Sequence, residues 1–150
     1  MRPAHVGGAH ALCQRLPHGG GGGDHRPERP GLGAAAAGLR LHLELELRDV
    51  VLHPPSPASF DVIVVTRFLD RGLVPAITAA LRPDGLVYYQ TFTRDKLDGA
   101  GPSNPDYLLG RNELLKLFAT LTILYYREDG RVGDIGRGNR NEAMLVAQKG

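Results

Sequence analysis

The aromatic residues of this chain are confined to its middle. All nine lie between Phe60 and Tyr126, whereas ten of the twenty glycines precede residue 39. Residues 1 to 38 hold only five of Met, Val, Leu and Ile, against four Pro, four Arg and four His, with the run Gly19 to Gly23 at their centre. Ordering a residue costs about 1–2 kcal/mol of backbone entropy, and more at glycine, so a stretch this poor in apolar surface has little to offset it. Residues 1 to 38 are therefore expected to be disordered or non-native, and a globular unit is expected over 39 to 150.

The second part carries clear periodicities. Leu41, Leu43, Leu45 and Leu47 alternate with His42, Glu44, Glu46 and Arg48, which predicts a strand with one wet face. Phe60-Asp61-Val62-Ile63-Val64-Val65 is apolar without alternation and β-branched, as a parallel strand covered on both faces should be. Residues 70 to 81 set Leu73, Val74, Ile77, Ala80 and Leu81 at helical spacing, with Pro75 tolerable near the first turn. Arg82-Pro83-Asp84-Gly85 predicts a stop and a turn in which Gly85 supplies a positive φ. Leu86 to Phe92 reads as a strand, and a long polar loop to Arg111 follows. Asn112 is placed to cap a helix striped by Leu114, Leu115, Leu117, Phe118 and Leu121. Thr122 to Tyr126 and Ala143 to Ala147 complete an α/β sandwich, with a parallel core and an antiparallel pair at the C-terminus.

Residues 41 to 150 resemble the second half of class I S-adenosylmethionine-dependent methyltransferases. Arg48-Asp49-Val50 corresponds to the end of the family's third strand, Phe60-Asp61-Val62-Ile63 to the start of its fourth, and Leu81-Arg82-Pro83-Asp84-Gly85-Leu86 to its turn into the fifth. Gln90-Thr91-Phe92, Gly101-Pro102-Ser103-Asn104-Pro105, Leu108-Leu109 and Asn112-Glu113-Leu114-Leu115-Lys116-Leu117-Phe118 are similar to small methyltransferases of the tellurite-resistance type. The fold so implied is an incomplete Rossmann-like sandwich, mostly parallel, with an antiparallel pair at its C-terminus. The resemblance implies S-adenosylmethionine as cofactor, with Asp49 accepting a hydrogen bond from the adenine amino group and the Val50 amide facing the ring. It implies that Thr66, Arg67 and Phe68 lie where the sulfonium and adenine are held. A small-molecule methyl acceptor is expected, contacted by the loop from Asn104 to Tyr107.

Methyl transfer from a sulfonium needs its reactants aligned and requires neither nucleophile nor metal, so no catalytic residue is singled out. The Asp/Asn-Pro-Pro-aromatic motif of enzymes that methylate base amino groups is replaced here by Thr66-Arg67-Phe68-Leu69, which disfavours nucleic acid as acceptor. Cys13 sits in a glycine-rich tail without a pocket to make it a nucleophile. His5, His10, Cys13, His18 and His25 match no zinc spacing. A formal charge of +2 is too small to argue for nucleic acid. No apolar run approaches the roughly 18 residues of a membrane span, and with a single cysteine the expected compartment is the cytoplasm.

One family element has no match: the Gly-rich loop Asp-x-Gly-x-Gly-x-Gly after the first strand, which cradles the methionine end of the cofactor. Gly31-Leu32-Gly33-Ala34-Ala35-Ala36 fits a dinucleotide fingerprint in letters, but Arg26-Pro27-Glu28-Arg29-Pro30 stands where a strand is required. A shifted reading frame over residues 1 to 38 would account for this, the alternative being a natural low-complexity extension. Moved one base forward, the codons of Asp24 to Pro30 permit Ile-Ala-Pro-Ser-Ala-Leu, which resembles what the family carries after its second strand. Two other classes stay open. One is a noncatalytic methyltransferase-like remnant or scaffold. The other is an RNA-binding module built on the Gly- and Arg-rich tail, disfavoured because that tail has no aromatic residue for base stacking.

Overall fold

The computed structural model describes residues 10–14 and 46–150. The chain divides into two compact units, Met1–Leu16 with Val50–Gly150 and Pro17–Asp49. In the second unit the described residues are 46–49, which form no regular element. The other expectations for residues 1 to 38, and for 41 to 45, concern positions outside the described residues.

Five strands make one sheet: β1 (His10–Gln14), β2 (Phe60–Thr66), β3 (Leu81–Phe92), β4 (Thr122–Arg127) and β5 (Glu142–Gln148), in the order β1-β2-β3-β5-β4. β2 and β3 are parallel, Val62 pairing with Leu86 and Thr66 with Gln90. β5 runs antiparallel to both β3 and β4. The parallel pair needs a crossover, which the short helix α1 (Val74–Ala80) supplies, and α2 (Glu113–Leu117) precedes the C-terminal strands. This is the partial Rossmann-like sandwich expected from the sequence, with the expected antiparallel pair at the C-terminus, but the sheet is mixed and not mostly parallel: among the described strands only β2 and β3 pair in parallel.

The core lies on one face of the sheet. Ile63, Val65, Val87, Tyr89, Leu145 and Ala147 are buried against Val74, Ile77, Leu114 and Phe118 of the helical layer. The alternate residues Val62, Val64, Tyr88, Gln90, Met144 and Val146 are half-buried on the other face. Tyr88 and Tyr89 therefore face opposite sides, as their adjacency in a strand requires. Tyr89 is fully buried, its ring centroid 5.4 Å from that of Phe118 and its hydroxyl donating to the Phe68 carbonyl at 2.9 Å. Burial raises its pKa.

Several local expectations change. The alternating segment ending at Arg48 contains no strand over its described residues, and Leu47 is fully exposed. Alternation marks a face, and a strand needs a neighbour to receive its hydrogen bonds, which these residues lack among those described. The helix expected over 70 to 81 is split. Asp70 Oδ1 accepts from the Leu73 amide at 3.0 Å and caps a 3₁₀ turn over Arg71–Leu73 before α1 begins. At Arg82-Pro83-Asp84-Gly85 the positive φ falls on Asp84, at 62°, and Gly85 is needed for space. A Cβ there would lie 2.8 Å from the Arg82 carbonyl oxygen and 3.2 Å from that of Asp61. Asn112 adopts φ 58° and makes no capping bond, because a capping side chain works from an extended backbone.

β1 is the largest departure. It pairs antiparallel with β2, His10 opposite Thr66 and Gln14 opposite Val62. One flank of β2 is thus covered by a segment expected to be disordered or non-native.

Candidate functional site

Parallel strands end with their ligand-facing carboxyl edge, where open α/β sheets bind small molecules. Here that edge is formed by Thr66 and the residues after it, by Gln90 to Thr93 of the neighbouring strand, and by Glu142 at the start of β5. Thr66 is half-buried. Arg67 follows with φ 53°, its amide donating to the Gln90 carbonyl at 2.8 Å. Phe68 is half-buried and packs against the core.

A carboxylate anchors this edge. Glu142 is 5% exposed, and its Oε1 accepts from Arg67 Nε at 3.1 Å. Its Oε2 accepts from Asn139 Nδ2 at 2.7 Å and from Gln90 Nε2. Gln90 Oε1 in turn accepts from the Tyr88 hydroxyl. Burial alone would raise the Glu142 pKa, but the hydrogen bonds from Asn139, Gln90 and Arg67 outweigh it and hold the carboxyl below its ordinary value.

Arg71 ties the loop after β3 to the same edge. Its Nε and Nη2 donate to the two oxygens of Glu113 at 2.6 and 3.1 Å, Nη1 to the Asp106 carbonyl at 2.6 Å, and Nη2 to the Leu108 carbonyl at 3.1 Å. Glu113 Oε2 also accepts from the Gly110 amide at 2.6 Å. The hydrogen bond from Arg71 is the main reason that the Glu113 pKa is lowered. The base of the loop is closed by the Leu109 amide on the Phe92 carbonyl and the Arg94 amide on the Leu109 carbonyl, both at 2.9 Å. Asn104 is exposed, and its Oδ1 caps the 3₁₀ turn Pro105–Tyr107 by accepting from the Asp106 amide at 2.9 Å. Tyr107 is half-buried.

The residues singled out in the sequence thus fall into three places. Thr66, Arg67 and Phe68 stand at the end of β2, and Arg71 links that segment to the turn bearing Asn104 and Tyr107. Val50 is half-buried and packs against the core. Asp49 is exposed and belongs to the Pro17–Asp49 unit. Arg71, Gln90, Asn139 and Glu142 were not singled out as site residues. Gln90 had a signal, as a polar residue near the end of an apolar strand. The partners of Arg71 and Glu142 lie 35 to 42 and up to 75 residues away in sequence, so local pattern carried none.

Whether these residues fit S-adenosylmethionine depends on its methionine end. The resemblance implies a first strand that ends in a Gly-rich turn at the ligand edge. In this chain the strand beside β2 is β1, which is antiparallel, so its C-terminal residue Gln14 pairs with Val62 and lies away from Thr66. The described residues include the candidates that the resemblance implies for the adenine and the sulfonium, and they supply no Gly-rich turn for the amino-acid tail of the methionine end.

No group of three or more His, Cys, Asp or Glu among the described residues is placed to hold a metal. No helix among them is long and apolar enough to cross a membrane. A groove of about 480 Å³ between α1 and α2 is lined by Val74, Pro75, Thr78, Leu117 and Lys149, and shares only Arg71 with the site just described.

No family model and no curated protein matches this chain. Solved structures do. TehB from Haemophilus influenzae superimposes with a TM-score of 0.57 at 17% identity, over 79% of this chain and 45% of TehB. The [4+2]-cyclase SpnF gives 0.53 at 15%, over 78% of this chain and 60% of SpnF. The N-methyltransferase NodS from Bradyrhizobium japonicum gives 0.52 at 15%, over 79% of this chain and 67% of NodS. The chain has the fold shared by these proteins, and spans less than two thirds of TehB and of SpnF.

Proposed function

We propose that this chain is the acceptor-side portion of an S-adenosylmethionine-dependent methyltransferase that acts on a small molecule. The observation that carries the reading is the convergence at one strand edge: Thr66 to Phe68, Gln90, Glu142 and the 104–113 turn held by Arg71. Such an edge can bind and orient an acceptor, and alignment is the main requirement of methyl transfer. NodS and a protein from Aquifex aeolicus of the same fold are described as an N-methyltransferase and a SAM dependent methyltransferase. SpnF, described as a cyclase, is a reminder that the fold does not choose the reaction.

The test is calorimetric titration with S-adenosylmethionine of two proteins, the 150-residue chain and a version in which the codons up to residue 38 are read one base forward. The expected result is weak or absent binding by the first and a one-to-one micromolar complex with the second. No binding by the frame-restored chain removes the methyltransferase reading. Micromolar binding by the 150-residue chain keeps that reading and removes the shifted frame.

The second reading is a noncatalytic scaffold. The antiparallel course of β1 favours it, since that strand stands where a cofactor-cradling strand would run the other way.

A further inference from the structure

Arg67 has features that a merely structural arginine does not need. Its backbone is left-handed at φ 53°, a conformation that non-glycine residues rarely adopt and that recurs at ligand sites. Its Nε is fixed on Glu142 at 3.1 Å, and its Cζ lies 5.7 Å from the ring centroid of Phe92. Glu142 is itself immobilised by Asn139 and Gln90. The Arg67 side chain is nevertheless 69% exposed, against 4% for that of Glu142. Neither Nη nitrogen has a hydrogen-bond partner among the described residues. A guanidinium held by one nitrogen and lying over a ring presents its two remaining nitrogens outward as a fork.

We infer that Arg67 is the receptor for a carboxylate on the acceptor substrate, which is therefore an organic acid. Two parallel N–H donors match the two oxygens of a carboxylate. A sulfonium is repelled by a guanidinium, so the cofactor's methyl-bearing centre is a poor partner for this fork. A phosphate dianion is disfavoured as well, because the buried negative charge of Glu142 already offsets that of Arg67. A monoanion meets the smaller repulsion. The inference rests on the methyltransferase reading only in naming the acid an acceptor; the carboxylate site itself stands without it.

The experiment follows the Nε–Hε resonance of Arg67 in the full chain labelled with ¹⁵N-arginine, during titration with sodium benzoate at constant ionic strength. Benzamide, its neutral isostere, and inorganic phosphate are the comparison probes. A saturable shift with benzoate, none with benzamide and a weaker one with phosphate is the expected result. Arg67→Lys keeps the charge and loses the fork, and is expected to weaken benzoate roughly tenfold or more, with binding then followed on the Thr66 and Phe68 amides. Equal response to benzoate and benzamide in the wild-type chain overturns the site, whether or not the variant folds. Equal benzoate affinity of a folded Arg67→Lys chain overturns it too.

A last titration adds S-adenosylhomocysteine. Competition with benzoate at Arg67 assigns the carboxylate to the cofactor's amino-acid tail and overturns the acceptor role. Benzoate binding in a chain whose frame-restored form fails to bind S-adenosylmethionine leaves the carboxylate site intact and removes only the methyltransferase reading.

Discussion

Arg67 and Arg71 are four residues apart and differ in what their donors do. Arg71 spends its guanidinium on Glu113 and on two loop carbonyls, so its removal leaves several acceptors unpaired at once. Arg71→Ala is expected to destabilise the chain by about 1–3 kcal/mol, the scale for hydrogen bonds to a charged group, with partial exposure keeping it toward the lower end. Urea unfolding checks this. Glu113 and Glu142 both have lowered pKa values in the folded chain. The unfolded state then binds protons at a higher pH than the native state. Their contribution is complete above the ordinary carboxylate value of about 4.3 and is lost as pH falls through the lower folded values. Glu113→Gln is expected to lower stability at pH 7 and to flatten its decline toward about pH 3, measured by urea midpoints across that range. Asp49 belongs to the proposed adenine contact. In a chain that binds S-adenosylmethionine, Asp49→Ala is expected to weaken it by about 1–3 kcal/mol by calorimetry, and equal affinities would remove Asp49 from that role.

At the scale of elements, β3 joins the sheet's two halves. It pairs with β2 on one side and β5 on the other, and its start is shaped by the tight turn at Asp84 and Gly85. Gly85→Ala pushes a methyl group against the Arg82 and Asp61 carbonyl oxygens, and neither is the movable end of a side chain. A loss of about 1–3 kcal/mol is expected from this overpacking, seen as a lower melting temperature. β1 matters for a different reason, since it closes the edge of β2. A chain starting at residue 39 exposes that edge and is expected to self-associate more than the full chain in sedimentation velocity. Equal monodispersity of the two would show that the His10–Gln14 pairing does not protect β2.

At the scale of the whole molecule, the described residues hold the sheet's centre and its ligand edge by different forces. The apolar face packs through residues such as Val87, Leu114 and Phe118, all fully buried, while the edge is held by ion pairs and hydrogen bonds across the chain. Phe118→Ala is accordingly a stability variant, expected to cost about 3–5 kcal/mol. Arg67→Lys is a binding variant with little effect on unfolding. Comparing the two by thermal unfolding and by benzoate titration separates fold from site.

Much of the fold was legible in the chain because period and composition are local properties. The unbroken β-branched run at Phe60 marked a strand, although the core covers one face of it and the other is only half-buried, and the spacing from Leu73 to Leu81 marked the crossover that makes β2 and β3 parallel. The end of β2 near Thr66 was legible because a strand's end is where its pattern stops. Tertiary structure decided the rest. The alternation before Arg48 could not reveal whether a neighbouring strand accepts its hydrogen bonds, and a glycine- and proline-rich tail gave no hint that His10–Gln14 would pair with β2. The Glu142–Arg67 and Glu113–Arg71 pairs span 75 and 42 residues. Charge pairing across such separations is selected by the folded backbone bringing two side chains within hydrogen-bond reach, and a linear sequence has no term for that distance.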